Sequence, residues 1–326
     1  MSLSSQARSE EFLKISSQFK LGALVTESSH PVTANLSELA KPDTAAALKL
    51  LFDVDEDVVK KFREFVESGR AVEIKETILR SLKNGGRIFF TGCGSTGRLS
   101  ILLDSVWRDF WQQQSAGKLF PVRDYEARTF SVMAGGDYAL IKSVEGFEDF
   151  TAFGKKQINE LDVSAKDIVF AITEGGETSF VIGTAWAGLP AGAKVYFVYN
   201  NPDAILCETV ERSREVIEDS RIEKINLTNG PMAIMGSTRM QATSIQLIVL
   251  LTMLEMVVRD LLGLGSVEVP KQSLKGLVEL LASSKSPELL AQLAKLVALE
   301  ESIYRGGHKN NYFADQLGID VLTDTT

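Results

Sequence analysis

The stretch Thr91–Ser100, TGCGSTGRLS, has residue types that could hold an anion. An apolar, β-favouring run, GGRIFF, precedes it, and a helical pattern, GRLSILLDSVWRDF, follows. The first N–H groups of a helix have no intrahelical acceptor and carry partial positive charge, so strand, glycine turn and helix start make a phosphate site plausible. Gly94, Ser95 and Thr96 are the candidate contacts, with the two hydroxyls as added donors. Gly92, Gly94 and Gly97 match GxGxxG, but no acid closes a second strand about 20 residues on, as a dinucleotide fingerprint requires. No Gly-Lys-Ser/Thr follows, so it is not a P-loop either. Taken alone, the stretch leaves two readings open: a phosphate site, or a tight turn in which Ser95 or Thr96 caps a helix.

The elements around it favour the first reading. Short apolar runs, RIFF, TFSVMAG, DIVFAIT, KVYFVYN and KINL, alternate with helical patterns, the last being the long STRMQATSIQLIVLLTMLEMVVRDLLG from Ser237. That alternation predicts an α/β fold, a doubly wound parallel sheet with helices on both faces. Ligands in such sheets lie beyond the carboxyl ends of the strands. Several strand ends carry polar glycine turns. AITEGGETSF supplies Thr173, Gly175, Gly176, Glu177 and Thr178, and LTNGPMAIMGSTRM supplies Gly236, Ser237 and Thr238. VMAGGDYALIKSVEGFEDF brings the acids Asp137, Glu145, Glu148 and Asp149. Convergence of these turns is what a ligand pocket needs.

The whole chain sets the limits. At 326 residues it exceeds one typical domain, and 44% hydrophobic content indicates a packed globular protein. A net charge of −8 argues against a nucleic-acid binder. The run Ile245–Val258 contains Glu255 and is too short to span a bilayer, so a core helix and no membrane association are expected. Two cysteines, Cys93 and Cys207, and an opening segment without signal-peptide character predict a reducing cytoplasm. His30 and His308 lie far apart and no cysteine cluster exists, so neither metal nor cofactor is expected. Residues 1–50 read as an amino-terminal arm and 51–266 as the main domain, where the segment up to Gly85-Gly86 has helical spacing. Residues 267–326 read as a helical extension whose end, NNYFADQLGIDVLTDTT, resembles the opening of a further unit.

Four stretches in order, over about residues 24–255, resemble the sugar isomerase (SIS) phosphosugar-binding family. They are closest to its branch of N-acetylmuramic acid 6-phosphate etherases and glucokinase regulatory protein. LVTESSHPVTANLSEL resembles the family's Thr-Glu-x-x-Asn-Pro-x-Thr segment, with His30 in place of Asn. GCGSTGRLSILLD resembles its Gly-x-Gly-Thr-Ser-Gly-Arg turn, and AGGDYALIKSVEGFEDF its Ala-Gly-Gly…Glu-Gly-x-Glu-Asp segment. GPMAIMGSTRMQATS resembles its Gly-Ser-Ser/Thr-Arg-Met-Lys-Ala-Gly signature, with Gln241 for Lys and Thr243 for Gly. The resemblance implies a SIS-type fold, a bound phosphosugar, and pockets completed by a homodimer or a second SIS domain.

It also implies an acid–base pair that this chain only half retains. The etherase base aligns with Glu148, but the acid that protonates departing lactate aligns with Val106. A hydrocarbon transfers no proton, and one partner of general acid–base catalysis contributes about 10²–10⁴ in rate. Asp109, one helical turn on, is a shorter acid at another place. The serine of the second phosphate turn is Gly175, flanked by Glu174 and Glu177, whose charges would repel phosphate unless they point away or bind sugar hydroxyls. Glucokinase regulatory protein also lacks the acid and binds fructose phosphates. The expectation is therefore recognition of an amino sugar or ketose phosphate, in a sensing or regulatory role with a regulated protein partner and without etherase turnover. The alternative is a sugar-phosphate isomerase or etherase/lyase with Glu148 as base. Arg98 is expected to brace its loop, and Cys93 to be small enough to fit between two glycines. The arm residues Thr26, Glu27 and His30 have no evident place on their own sheet, so the arm is expected to reach a neighbour's pocket.

Overall fold

The five apolar runs form one parallel sheet: β1 (Ile88–Gly92), β2 (Thr129–Met133), β3 (Ile168–Ile172), β4 (Lys194–Tyr199) and β5 (Ile222–Asn226). A computed structural model describes residues 4–16, 21–117, 125–142 and 145–313. The strand order is β2-β1-β3-β4-β5, with Thr91 of β1 in register with Ala171 of β3. The chain runs outward from β1 to β2, then crosses back to β3 on the other side of β1. Winding reverses there, so the crevice at the carboxyl ends of β1 and β3 is where such a sheet takes a ligand.

The helices are α1 (Ser5–Ile15), α2 (Leu36–Ala40), α3 (Thr44–Val54), α4 (Glu56–Glu67), α5 (Arg70–Lys83) and α6 (Gly94–Gly117), then α7 (Thr151–Asn159), α8 (Ser179–Gly188), α9 (Asp203–Thr209), α10 (Glu211–Glu218), α11 (Gln241–Leu261), α12 (Val269–Ser284) and α13 (Pro287–Arg305). Successive strand residues point to opposite faces, and both faces are covered, which explains why the central strands β1, β3 and β4 are apolar almost throughout. On one face Ile88, Phe90, Ile168 and Phe170 pack with Phe62, Ile78, Leu103 and Met253 from α4, α5, α6 and α11. On the other, Phe89, Val169, Ala171 and Phe197 pack with Ile158, Phe180 and Val216 from α7, α8 and α10. Each of the large side chains among them contributes about 1.5–3 kcal/mol on burial. Helix α11 is long and apolar enough to cross a membrane, and its Ile245, Val249, Met253 and Val257 are instead part of this core.

Three boundaries differ from the sequence reading. The helical segment ending at Gly85-Gly86 is several helices, with α4 and α5 separated at Ser68-Gly69, where Gly69 takes φ 73°. The arm boundary at residue 50 falls inside α3. Helix α11 begins at Gln241, not Ser237, because Ser237 and Met240 are held in turns and Met240 is not helical (ψ −107°). The carboxyl-terminal extension is α12 and α13; the unit suggested at its end falls mostly on residues 314–326, outside the described residues.

Candidate functional site

The first turn leaves β1 directly into α6. A Cβ on Gly92 would lie 2.3 Å from the backbone of Thr96, so only glycine lets the first turn of α6 fold over the strand end. Gly94 follows with φ 51°. Thr96 is 1% exposed, and its hydroxyl accepts from Cys93 N–H (3.0 Å) and donates to Cys93 C=O (2.9 Å). Thr96 therefore closes the turn from inside, the contact that the capping reading calls for. Ser95 is half-buried, and the start of α6 offers the backbone donors.

Glu148 is brought to this turn from the segment before α7. A Cβ on Gly154 would sit 2.0 Å from Phe180 C=O, so α7 and α8 approach closely, and Phe180 N–H donates to Glu148 C=O (2.9 Å). The Cys93 thiol then donates to Glu148 Oε2 (3.1 Å). Burial, followed by the charge of Glu148, pushes the Cys93 thiol far up, so it remains a thiol and a donor. Cys93 is thus more than a small residue that fits; nothing in the sequence pattern signalled the pairing.

The second turn follows β3. The Thr173 hydroxyl, 1% exposed, accepts from Gly176 N–H (3.2 Å) and lies 3.0 Å from the Thr178 hydroxyl. Thr173, like Thr96, braces its turn from inside, whereas Thr178 is half-buried just ahead of α8. Gly175 C=O accepts from Asn201 Nδ2 (2.9 Å). Glu177 is turned to Arg212, with Oε2 2.8 Å from Nη2, so its charge is compensated by an ion pair. Glu174 is buried and accepts from the Thr243 hydroxyl (3.0 Å). Burial raises its pKa to about 7, against the lowering effects of the Thr243 hydrogen bond and the Arg239 charge.

The third turn joins the second. Ser237 and Thr238 are half-buried in the loop ahead of α11, and Thr238 C=O accepts from both the N–H (3.1 Å) and the hydroxyl (3.2 Å) of Thr243. Thr243 thus connects this loop to Glu174. Gln241 donates to Asp55 Oδ1 (2.7 Å) and accepts from Ala233 N–H (2.9 Å), anchoring the loop from beneath.

The arm corrects an expectation, because it has a place on its own chain. Thr26 is fully buried; the N–H groups of Val25 and Thr26 donate to Asn201 Oδ1 (2.8 and 3.3 Å), and Asn201 Nδ2 donates to Thr26 Oγ1 (3.0 Å). Gly236 N–H donates to Thr26 C=O (3.2 Å), Thr33 Oγ1 donates to Ala233 C=O (2.6 Å), and His30 Nε2 pairs with Asp57 (3.1 Å). Glu27 lies near Gly236 and is raised in pKa by burial and then by the charge of Glu177. Asn201 and Arg212 were missed as organisers of the site, and Thr243 was legible only as a departure from the family signature.

The Cys93–Glu148 and Thr243–Glu174 bonds link these turns near the carboxyl ends of β1 and β3. Residues 70–187 match the family described as Glucokinase regulatory protein N-terminal SIS domain. The chain is also 30% identical over 231 residues to an N-acetylmuramic acid 6-phosphate etherase of Yersinia pestis (strain Pestoides F), covering 71% of this chain and 69% of that protein. The same figures hold for the N-acetylmuramic acid 6-phosphate etherase of Yersinia pseudotuberculosis serotype O:1b (strain IP 31758). The chain belongs to the SIS family, in its etherase and glucokinase regulatory protein branch. Against the SIS signature the two departures, Gln241 and Thr243, both acquire partners here, Asp55 and Glu174. Val106 is 39% exposed on α6, about 18 Å along the helix from Gly94 at 1.5 Å per residue.

Proposed function

We propose that this SIS chain binds a phosphorylated sugar, an amino sugar or ketose phosphate, and serves a sensing or regulatory role without etherase turnover. The observation that carries the reading is the start of α6 at the β1/β3 crevice, where Cys93, ahead of Gly94 and Ser95, bonds Glu148. The backbone of that turn takes the phosphoryl group, and Ser95, Thr178, Ser237 and Thr238 contact phosphate or sugar, while Thr96 and Thr173 hold the turns. Gly175 gives close approach, and Glu177 and Glu148 face sugar hydroxyls. The absence of etherase turnover rests on Val106, the hydrocarbon at the position that the resemblance gives to the acid. A homodimer or a second SIS domain completes the pocket, a regulated protein is the downstream partner, and the cytoplasm is the compartment.

A thermal-shift panel tests this. Fructose 6-phosphate or N-acetylglucosamine 6-phosphate is expected to stabilise the protein, and the free sugars are not. Ser95→Asp is expected to abolish the shift, since a carboxylate at a helix start is tolerated by the helix yet repels an anion. N-acetylmuramic acid 6-phosphate is expected to release no lactate; robust multiple-turnover release overturns the reading. The second reading, an isomerase or etherase/lyase, is favoured by one observation, the Glu148 carboxylate held by Cys93 at the turn. Product formation, or solvent deuterium entering at carbon 2 of the sugar, would support it.

A further inference from the structure

A carboxylate buried beside an anion-binding turn is a conflict that a proton can remove. Glu174 lies two residues beyond the end of β3 and is 8% exposed. It faces the Thr243 hydroxyl from α11, the Arg239 guanidinium from the preceding loop, Glu177 from its own turn, and Cys93, itself bonded to Glu148, from the end of β1.

The hydrogen bonds point the same way. Thr243 has one hydroxyl proton, yet its oxygen lies 3.0 Å from Glu174 Oε1 and 3.2 Å from Thr238 C=O. An ionised Glu174 has no proton to give, so Thr243 serves only one acceptor at a time. With a proton on Glu174, the carboxyl donates to Thr243 and Thr243 donates to Thr238. The chain from β3 to the loop before α11 is then complete.

We propose that Glu174 takes up a proton when the site takes its anionic ligand, so that phosphosugar binding is proton-linked and strengthens as pH falls. The proposal rests on the phosphosugar reading above. The anion's charge opposes an ionised Glu174 and favours the neutral one, and by reciprocity protonation favours the anion. Because burial already raises the Glu174 pKa to about 7, the linkage falls near neutrality.

Isothermal titration of fructose 6-phosphate in two buffers of different ionisation heat, from pH 6.5 to pH 8.5, counts the protons. Wild type is expected to take up as much as about one proton and to lose about tenfold in affinity over that range. Glucose 6-sulfate, whose charge is fixed there, removes the contribution of the phosphate's own ionisation near pH 6. Glu174→Gln, which keeps the shape and can still donate to Thr243, is expected to bind without this uptake and with a flat profile. Thr243→Val, which removes a donor to the ionised carboxylate, is expected to move the uptake to higher pH. Binding with equal proton uptake in wild type and Glu174→Gln, or with none in wild type, overturns the proposal alone. If neither probe binds at any pH, the phosphosugar reading fails, and the proposal with it.

Discussion

At the scale of single residues, the carboxylates of the second turn have different fates. Glu177 is paired with Arg212, while Glu174 is desolvated by burial that the Arg239 charge only partly offsets. Its folded-state pKa of about 7 lies above the ordinary 4.5, so folding favours its proton. The stabilisation is fully present below about pH 4.5 and is lost as pH rises through about 7, amounting to about 3 kcal/mol. Glu174→Gln carries no such charge. Urea unfolding should therefore find wild type and variant close at pH 5 and the variant more stable by about 3 kcal/mol at pH 8. A gap that does not change with pH would contradict the burial argument. From sequence, Glu174 was legible only as an acid unsuited to a phosphate turn; its proton and its partner Thr243, 69 residues on, required the fold.

At the scale of elements, one buried amide anchors the loop before α11 from beneath. Gln241 is 2% exposed and serves Asp55 and Ala233 N–H at once. Burial raises the Asp55 pKa, and the Gln241 hydrogen bond and the Lys285 charge pull it back. Gln241→Leu leaves a carboxylate and an N–H without these bonds, and a loss of about 2–3 kcal/mol in urea unfolding is expected. A loss below about 0.5 kcal/mol, the range of ordinary surface substitutions, would show that the loop is held elsewhere. Strands, their parallel arrangement and the glycine turns were legible because each depends on local pattern. The arm was not. Its seat depends on Asn201, 175 residues from Thr26, and no periodicity reports such a contact. The inward hydroxyls of Thr96 and Thr173 were likewise hidden, since a cap and a ligand use the same residue types.

At the scale of the whole molecule, exposed apolar side chains cluster in the segment that carries Glu148. Tyr138, Ile141, Phe147, Phe150 and Phe153 are exposed, Ile141 to 80%, and Phe147 and Phe150 flank Glu148 in sequence. Phe147 stacks on Phe153 at 4.9 Å, and Phe150 meets Phe153 edge-on at 5.6 Å, so the rings form one group. Contiguous apolar groups beside a polar pocket mark contact surfaces, and a two-fold arrangement would set the same patch of each protomer against the other. Since the arm sits on its own chain, a neighbour need not supply it, and the aromatic group becomes the contact that a partner would cover. A homodimer is thus expected, with light scattering giving twice the mass of the chain. Ile141→Asp with Phe150→Asp is expected to give monomers, because each carboxylate would have to be desolvated at the interface. Both changes are on exposed side chains, so the monomer should unfold cooperatively while its response to fructose 6-phosphate weakens. A wild-type protein that remains monomeric at high concentration, with full phosphosugar stabilisation, would show that the pocket is complete within one chain.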